Sequence, residues 1–365
     1  TRYYKADAGA VISASHNPFE YNGIKFFNGQ GYKLDDAVEE EIEAVILDGA
    51  EKVPKPADKE LGRCLKAEDS AVDLYCDFLL STVDYRLDGM KVVLDCANGA
   101  SYIAAPHVYR SLGAEVTVIG DRPDGVNIND NIGSTHPGKL QAKVLETGAD
   151  IGLAFDGDAD RLIVVDEKGE IIDGDKAICL CAATLRKEGR LYKGRVTATV
   201  MSNIGFHKYI TEKLGGCVDV TAVGDRYVLE SMLKTGSVIG GEQSGHIIFR
   251  DYTTTGDGTL SSLQFIKALL GSGRKASELS AEVELFPQVL VNAKVKNESK
   301  AVFMEDPEVK QAISKAEAEL NGDGRVLIRP SGTEPLARVM IEGKDAAQIK
   351  TMAEEIAGLI SRKYM

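Results

Sequence analysis

The fold class is decided by the stretch Lys91-Val92-Val93-Leu94-Asp95 and by the two runs that follow it in the chain, 102–112 and Glu115-Val116-Thr117-Val118-Ile119. Its first and last parts are short apolar runs rich in valine, which predict buried strands. The part between them has the apolar spacing of a helix. A strand, a helix and a second strand in succession predict a βαβ unit with parallel strands.

Strands and helices continue to alternate on both sides of this stretch. Toward the N-terminus we predict a buried strand over 9–13 and a helix over 35–47, whose apolar face is Val38, Ile42, Val45 and Ile46. Further helices are predicted over 72–80, 140–147, 176–186, 206–214 and 227–235, and strands over 150–155, 162–166, 195–200, 218–222 and 237–240. The C-terminal part differs, because strand 289–295 and helix 307–320 precede two strands, 324–329 and 336–342, and helix 346–362.

This order predicts four domains. We place truncated α/β domain 1 at 1–68, α/β domain 2 at 69–172, α/β domain 3 at 173–287 and an α+β domain 4 at 288–365. The sheets of the first three are expected to be mixed and mainly parallel. A length of 365 residues agrees with two to four domains.

The composition limits the classes of function. A net charge of −13 argues against nucleic-acid binding, and no apolar run is long enough to span a membrane. Six cysteines without a C-x-x-C pair argue against zinc and against a disulfide framework, so we expect a cytoplasmic protein with reduced thiols. Because Thr1 is not an initiator methionine, we expect the natural N-terminus to lie upstream and domain 1 to be incomplete.

Three carboxylates at alternate positions, Asp156, Asp158 and Asp160, predict a site for a hard cation, with Mg²⁺ preferred. An EF-hand is the main rival, because Glu167 occupies its twelfth position. Arg161 stands where an EF-hand needs glycine, and the flanking runs predict strands rather than helices. A solvated acidic turn is the remaining alternative, although three such close carboxylates repel one another without a cation.

Three other polar segments follow predicted strands. Ser15 lies before His16-Asn17-Pro18, and no hydrolase elbow surrounds it. Taken alone, Ser15 is more simply explained as a turn residue than as a catalytic one. Lys25, taken alone, is likewise more simply explained as a surface lysine. Glu242, Ser244 and His246 lie among glycines and suit either a sugar clamp or a polar turn. Arg329, Ser331, Gly332 and Thr333, with Arg338 on the next strand, suit either a phosphate cradle or a hairpin turn.

Together these segments resemble the α-D-phosphohexomutase superfamily. The resemblance rests on Ala14-Ser15-His16-Asn17-Pro18 with 22–27, the loop 156–161, Gly133-Ser134-Thr135-His136, the loop 241–246 and the segment 329–335. It spans the chain. It implies four domains around a central cleft.

The resemblance also implies roles for single residues. Ser15 would carry the phosphoryl group and bind Mg²⁺ with Asp156, Asp158 and Asp160. His16, Lys25 and Arg161 would lie beside it, with Lys25 as the acid or base. Glu242, Ser244 and His246 would bind the substrate, with Glu242 and Ser244 holding the sugar hydroxyls. The non-reacting phosphate would lie on the segment 329–333, with Arg338 beside it; 224–226 would be a further cleft loop.

The implied reaction interconverts the 6- and 1-phosphates of a hexose through a phosphoserine and a 1,6-bisphosphate, which also serves as activator. Gln243 favours a hexosamine phosphate as the small-molecule partner, with glucose and mannose phosphates as alternatives. A non-catalytic remnant that binds sugar phosphates is the alternative from another class. The sequence predicts no nucleic-acid or membrane partner and leaves a homodimer open.

Overall fold

The computed structural model describes residues 1–49, 51, 53, 55–65, 71–300, 302–331 and 334–365. Their α-carbon contacts form two compact units. Unit 1 comprises Thr1–Met201 and Leu214–Glu282, and unit 2 comprises Ser202–Lys213 and Val283–Met365. Within the described residues, no helix is long and apolar enough to cross a membrane.

Unit 1 begins with an exposed hairpin. Strands β1 (Ala8–Ser13) and β2 (Gly23–Asn28) pair antiparallel, and helix α1 (Asp36–Asp48) follows. The prediction that the first strand is buried is wrong, because none of its six residues is buried and Ile12 is 77% exposed. Helix α1 likewise has no buried residue, so the apolar face predicted for it is not packed into a core.

A five-stranded sheet forms the centre of unit 1. Its elements are α2 (Ala71–Ser81), β3 (Lys91–Asp95), α3 (Ser101–Ser111), β4 (Glu115–Ile119), α4 (Gly138–Thr147), β5 (Ile151–Phe155), β6 (Leu162–Asp166) and β7 (Ile171–Ile172). The strand order is β4-β3-β5-β6-β7, in which β4, β3 and β5 are parallel and β6 and β7 antiparallel. Val93, Val144 and Ala154 pack in the core of this sheet and α4. The predicted βαβ unit is therefore confirmed.

A four-stranded sheet follows. The chain runs through α5 (Gly174–Lys187) and β8 (Arg195–Thr199), enters unit 2 for α6 (Ile204–Lys208) and a π-helical turn (Tyr209–Lys213), and returns through β9 (Cys217–Thr221), α7 (Asp225–Thr235), β10 (Ile239–Gly241), β11 (Ile247–Phe249), α8 (Gly258–Ser272) and α9 (Ala276–Ser280). The strand order is β11-β10-β8-β9, with only β11 antiparallel. The prediction of one continuous helix over 206–214 is wrong, because the helix begins at Ile204 and changes to π-helical winding at Tyr209.

Unit 2 contains an antiparallel sheet packed on two helices. Its remaining elements are β12 (Gln288–Lys294), α10 (Pro307–Leu320), β13 (Gly324–Pro330), β14 (Leu336–Gly343) and α11 (Ala346–Tyr364). The order is β12-β14-β13, and Val309, Val339 and Ile356 meet in the core. Asp306 caps α10 and Pro307 opens it, which is why its predicted bounds agree with the structure. The predicted fold class, α/β with mixed sheets followed by α+β, is confirmed; the domain boundaries stay predictions.

Candidate active site

Ser15 lies in the loop that follows β1 and has a left-handed backbone, with φ of +52°. This conformation costs a non-glycine residue about 1–2 kcal/mol and persists where neighbouring groups impose it. The Ser15 N–H donates to Ser13 Oγ at 2.8 Å, and Ser15 Oγ lies 3.3 Å from His16 Nδ1. Burial, and then the charge of Arg161, lowers the pKa of His16, so a neutral imidazole faces the serine hydroxyl.

The three predicted metal ligands meet in the loop between β5 and β6. Asp156, Asp158 and Asp160 each offer an oxygen within 4.8 Å of the others. Each also keeps one buried oxygen, namely Oδ2 of Asp156, Oδ1 of Asp158 and Oδ1 of Asp160, that accepts no hydrogen bond from any residue the structure describes. Buried oxygens without donors are costly. Three of them, all from carboxylates, suit a divalent cation such as Mg²⁺.

The carboxyl groups of this loop have unequal acidity. Burial, followed by the charges of Asp160 and Asp158, raises the pKa of Asp156 to about 8. Burial also acts to raise the pKa of Asp160, but a hydrogen bond from His246 and the charges of His246 and Lys25 outweigh it, and that pKa falls below its ordinary value. Without a cation, the cluster therefore favours one proton on Asp156 and a charged Asp160.

Two cationic side chains lie beside the carboxylates. Lys25, on β2, donates a short hydrogen bond to Asp158 and lies 3.5 Å from Asp160 Oδ2. Burial acts to lower the pKa of Lys25, but the hydrogen bond and the charge of Asp158 outweigh it and raise it. Arg161 Nε lies 3.8 Å from Asp156 Oδ2 and 3.9 Å from Asp160 Oδ1. These two cations oppose the negative charge of the three carboxylates.

The loop after β1 that carries Ser15 (the serine loop) packs on the loop between β5 and β6 that carries Asp156, Asp158 and Asp160 (the metal loop). A Cβ added at Gly157 would lie 2.5 Å from the carbonyl oxygen of Ser15 and 2.7 Å from Asn129 Nδ2. Asn129 Nδ2 in turn donates to the carbonyl oxygens of Ser15 and Asn17, at 2.8 Å each. Sequence reasoning missed Asn129, because an asparagine in a loop carries no motif of its own, and it missed the role of Gly157 as the point of contact.

The predicted sugar loop follows β10. Glu242 Oε1 accepts the N–H of Gly224 at 3.1 Å, and the Glu242 carbonyl accepts the N–H of Gly245 at 3.0 Å. Ser244 is exposed at the tip of this turn. Gln243 Nε2 donates to Asp173 Oδ2 at 3.3 Å, so its amide is engaged with the cap of α5. The turn therefore leaves the carboxylate of Glu242 and the hydroxyl of Ser244 as its available polar groups.

The structure places His246 differently from Ser244. His246 is only 3% exposed, with Nδ1 3.5 Å from Asp160 Oδ2 and Nε2 3.7 Å from Asp225 Oδ2. The Gly256 N–H donates to Nε2 at 3.2 Å, which places the proton of a neutral ring on Nδ1, facing Asp160. In addition, Leu162 N–H donates to the Gly245 carbonyl at 2.9 Å. The metal and sugar loops are therefore joined side by side.

The loop 224–226 completes this side of unit 1. Asp225 accepts a short hydrogen bond from Lys33, and Arg226 pairs with Asp36. Burial acts to raise the pKa of Asp225, but the charges of His246 and Lys33 and the hydrogen bond from Lys33 outweigh it and lower the pKa. A row of polar contacts therefore runs from Lys33 through Asp225 and His246 to Asp160.

The predicted phosphate-binding residues lie in unit 2. Arg329 on β13 and Arg338 on β14 are direct cross-strand partners. Burial, and then the charge of Arg338, lowers the pKa of Arg329. Ser331 is buried, and its Oγ accepts the Glu334 N–H at 3.1 Å. Gly332 and Thr333 lie outside the described residues. Two neighbouring arginines that repel each other suit an anion between them.

Four family models match successive parts of the chain. They are the phosphoglucomutase/phosphomannomutase α/β/α domains I, II and III, at residues 1–53, 73–169 and 173–286, and the C-terminal domain, at residues 290–359. Phosphoglucosamine mutase of Thermoanaerobacter sp. (strain X514) is 57% identical over 363 residues, which cover 100% of this chain and 80% of that protein. The enzyme of the same name from Clostridium novyi is 53% identical, with coverages of 100% and 80%.

Solved structures share the fold. N-acetylphosphoglucosamine mutase of Aspergillus fumigatus, in complex with GlcNAc-6P and magnesium, superposes with a TM-score of 0.73 at 18% identity, covering 98% of this chain and 89% of that one. A phosphoglucomutase/phosphomannomutase family protein of Burkholderia thailandensis gives a TM-score of 0.73 at 23% identity, with coverages of 97% and 77%. The chain therefore belongs to the phosphoglucomutase/phosphomannomutase family and is an isomerase.

Proposed function

We propose that the chain interconverts glucosamine 6-phosphate and glucosamine 1-phosphate, with Ser15 as the phosphoryl carrier and glucosamine 1,6-bisphosphate as the intermediate. The observation that carries the proposal is the packing of the Ser15 carbonyl against Gly157, between two of three carboxylates that each keep a buried oxygen without a hydrogen-bond donor among the described residues. The loop that carries the serine hydroxyl thus packs on the loop that carries the carboxylates, which supports phosphoryl transfer beside a divalent cation. The names of the relatives at 52–57% identity support the amino sugar as substrate.

Transfer would proceed in two half-reactions. In the first, the bond between phosphorus and Ser15 Oγ breaks and a bond to O1 of glucosamine 6-phosphate forms, with the proton of that hydroxyl leaving to a base and Ser15 Oγ taking up a proton. In the second, the bond between phosphorus and O6 breaks and a bond to Ser15 Oγ forms. The serine proton leaves to a base, O6 takes up a proton, and glucosamine 1-phosphate leaves. In the transition state, negative charge is spread over the equatorial oxygens of the transferring group and develops on the leaving oxygen, so cations placed beside these atoms lower the barrier.

The residues beside Ser15 suit this chemistry. Asp156, Asp158 and Asp160 would hold Mg²⁺, which when bound supplies charge neutralisation at the phosphoryl oxygens. Lys25 and Arg161 stand next to the same carboxylates and would neutralise the remaining charge. Of the two, Lys25 can also release or accept a proton, and we assign it the acid or base role. The neutral His16, 3.3 Å from Ser15 Oγ, would accept a hydrogen bond from the serine once the phosphoryl group has left.

Substrate binding is assigned to two further loops. Glu242 and Ser244 would bind the sugar hydroxyls, and His246 would hold this loop from behind. Arg329 and Arg338, with Ser331, Gly332 and Thr333, would bind whichever phosphate is not reacting. Because the same centre serves both half-reactions, the intermediate has to turn over, and a sugar 1,6-bisphosphate from outside would rephosphorylate a chain that has lost its phosphoryl group. We place the enzyme in the cytoplasm.

The test is turnover of glucosamine 6-phosphate with Mg²⁺ and a trace of glucose 1,6-bisphosphate, run beside glucose and mannose phosphates. We expect the amino sugar to react fastest and Ser15→Ala to have no turnover. Ser81→Ala, at the exposed end of α2, is the matched control and should keep full activity. Full activity of Ser15→Ala would refute the carrier role. Faster turnover of a hexose phosphate would move the substrate assignment to glucose or mannose.

A further inference from the structure

We propose that Asn129 is a positioning residue that holds the Ser15 loop in its reactive conformation. This inference rests on the proposed function, since it assigns a role in phosphoryl transfer at Ser15. Asn129 donates both protons of its side-chain amide to this loop, one to the Ser15 carbonyl and one to the Asn17 carbonyl, each at 2.8 Å. A single planar group thus spans the backbone on both sides of His16.

Asn129 is itself fixed to the core of unit 1. Its side chain is 4% exposed, and its backbone N–H donates to the Ala97 carbonyl at 2.9 Å. The Asp95 carboxylate, fully buried at the end of β3, accepts the N–H groups of Ala97 at 3.0 Å and Gly133 at 2.8 Å. A continuous path of hydrogen bonds therefore runs from the central sheet to the serine loop.

The serine loop needs such support. Ser15 has φ of +52°, a conformation that a serine does not adopt without cost. Its own hairpin provides little burial, because no residue of β1 is buried. Gly157 packs closely against the Ser15 carbonyl, and Asn129 donates a hydrogen bond to the same carbonyl. Together they fix the peptide that follows Ser15, and with it the direction of Oγ.

Asn129 acts through Ser15 rather than on the substrate, so its removal should affect the rate of transfer. A misplacement of about 1 Å at a reacting group can cost about a hundredfold in rate. For Asn129→Ala we expect kcat to fall about tenfold to a hundredfold and KM to change by less than about threefold. Binding of Mg²⁺ to the unphosphorylated chain should be retained, because the three carboxylates remain.

Asn131→Ala is the matched control. Asn131 belongs to the same loop and also has a left-handed backbone, with φ of +50° against +57° for Asn129, so alanine carries a similar backbone cost at both positions. Its side-chain amide donates to Asp130 and is exposed. Asn129→Gly, which removes the amide without the left-handed cost, provides a second variant if Asn129→Ala folds poorly.

The experiment measures kcat and KM of the wild type and these variants, and hydrogen exchange of the backbone amides of residues 13–17. We expect a lower kcat and faster exchange in both Asn129 variants, and neither in Asn131→Ala. Equal kcat in Asn129→Gly and wild type would overturn the inference, as would unchanged exchange. A wild type without turnover on any sugar phosphate would refute the proposed function and with it this role in transfer, whatever exchange shows of the hydrogen bonds.

Discussion

Two antiparallel strand pairs of unit 1 each carry a loop of the candidate active site, and they differ completely in burial. In the pair β5–β6, which carries Asp156–Arg161, all ten residues are buried. In the pair β1–β2, which carries Ser15, no residue is buried. The metal loop is therefore supported by the core beneath it, whereas the serine loop depends on contacts made by its tip.

Those contacts come from another part of unit 1. Asn129 and Gly157 hold the Ser15 carbonyl, and Lys25 of β2 reaches Asp158 across the gap between the loops. The metal loop is thus held by the core, and the serine loop is held only where it contacts the metal loop and Asn129. The comparison implies that changes at the contact should reduce activity more than changes along the exposed strands.

The largest effect is expected for Gly157→Ala. The added Cβ would lie 2.5 Å from the Ser15 carbonyl oxygen, a backbone atom that can move only with the serine loop. We expect kcat to fall about a hundredfold or more, since the reacting group is displaced. Gly138→Ala is the control, because a Cβ there meets no atom within 4 Å. Turnover by Gly157→Ala close to that of Gly138→Ala would show that the two loops do not need this contact.

A pair of core and surface truncations tests the difference in burial directly. Leu153→Ala on β5 removes a fully buried side chain and should lower the free energy of unfolding by about 3 kcal/mol, from lost burial and the cavity left behind. Ile12→Ala on β1 removes a side chain that is 77% exposed and should change it by less than about 0.5 kcal/mol. Urea denaturation measures both. Similar losses would mean that the hairpin is buried in solution.

A pH dependence of the metal-free chain is also expected. The pKa of Asp156 is raised to about 8, so the folded chain binds a proton that the unfolded chain releases above pH 4. Stability should therefore fall as the pH rises from about 4 to about 8. The lowered pKa of Asp160 acts below this window.

Asp156→Asn should show a shallower fall in melting temperature between pH 5 and pH 8 than the wild type, both in EDTA. The amide cannot ionise, so this component of the slope disappears. Added Mg²⁺ should stabilise the wild type more than the variant, because the variant lacks one ligand charge. Identical pH profiles for the two proteins would show that Asp156 is already ionised in the metal-free fold.

The sequence predicted the parts of this molecule that rest on local pattern. The βαβ order followed from the runs around Lys91–Asp95, and the three carboxylates followed from their alternate spacing. Helix α8 was missed, because eleven of its fifteen residues are buried and it has no polar face to give a helical period. The burial of β1 was predicted wrongly. An apolar run indicates that a strand could be buried, but it does not show whether another part of the chain covers it.

Contacts between segments that are distant along the chain could not be predicted from the sequence alone. Asn129 and Ser15 are 114 positions apart, and only the fold brings the amide to the carbonyl. His246 was placed in a substrate loop by its neighbours, yet its ring is buried against Asp160 and Asp225. Motifs therefore indicated the loops of the candidate site, and the structure was needed to show which side chains contact them.

The most direct test of the central claim is a single turnover. The chain is first phosphorylated with glucose 1,6-bisphosphate whose phosphates are radiolabelled, freed of excess reagent and mixed with unlabelled glucosamine 6-phosphate, with Mg²⁺ or with EDTA. Peptide mapping and analysis of the sugar phosphates then follow the labelled phosphoryl group that starts on Ser15. The account predicts that the label passes from Ser15 to glucosamine 1,6-bisphosphate and glucosamine 1-phosphate with Mg²⁺ only, while Ser15 takes an unlabelled phosphoryl group from position 6. A label that starts on another residue of the chain, or one that stays on Ser15 in the presence of Mg²⁺ and substrate, would contradict it.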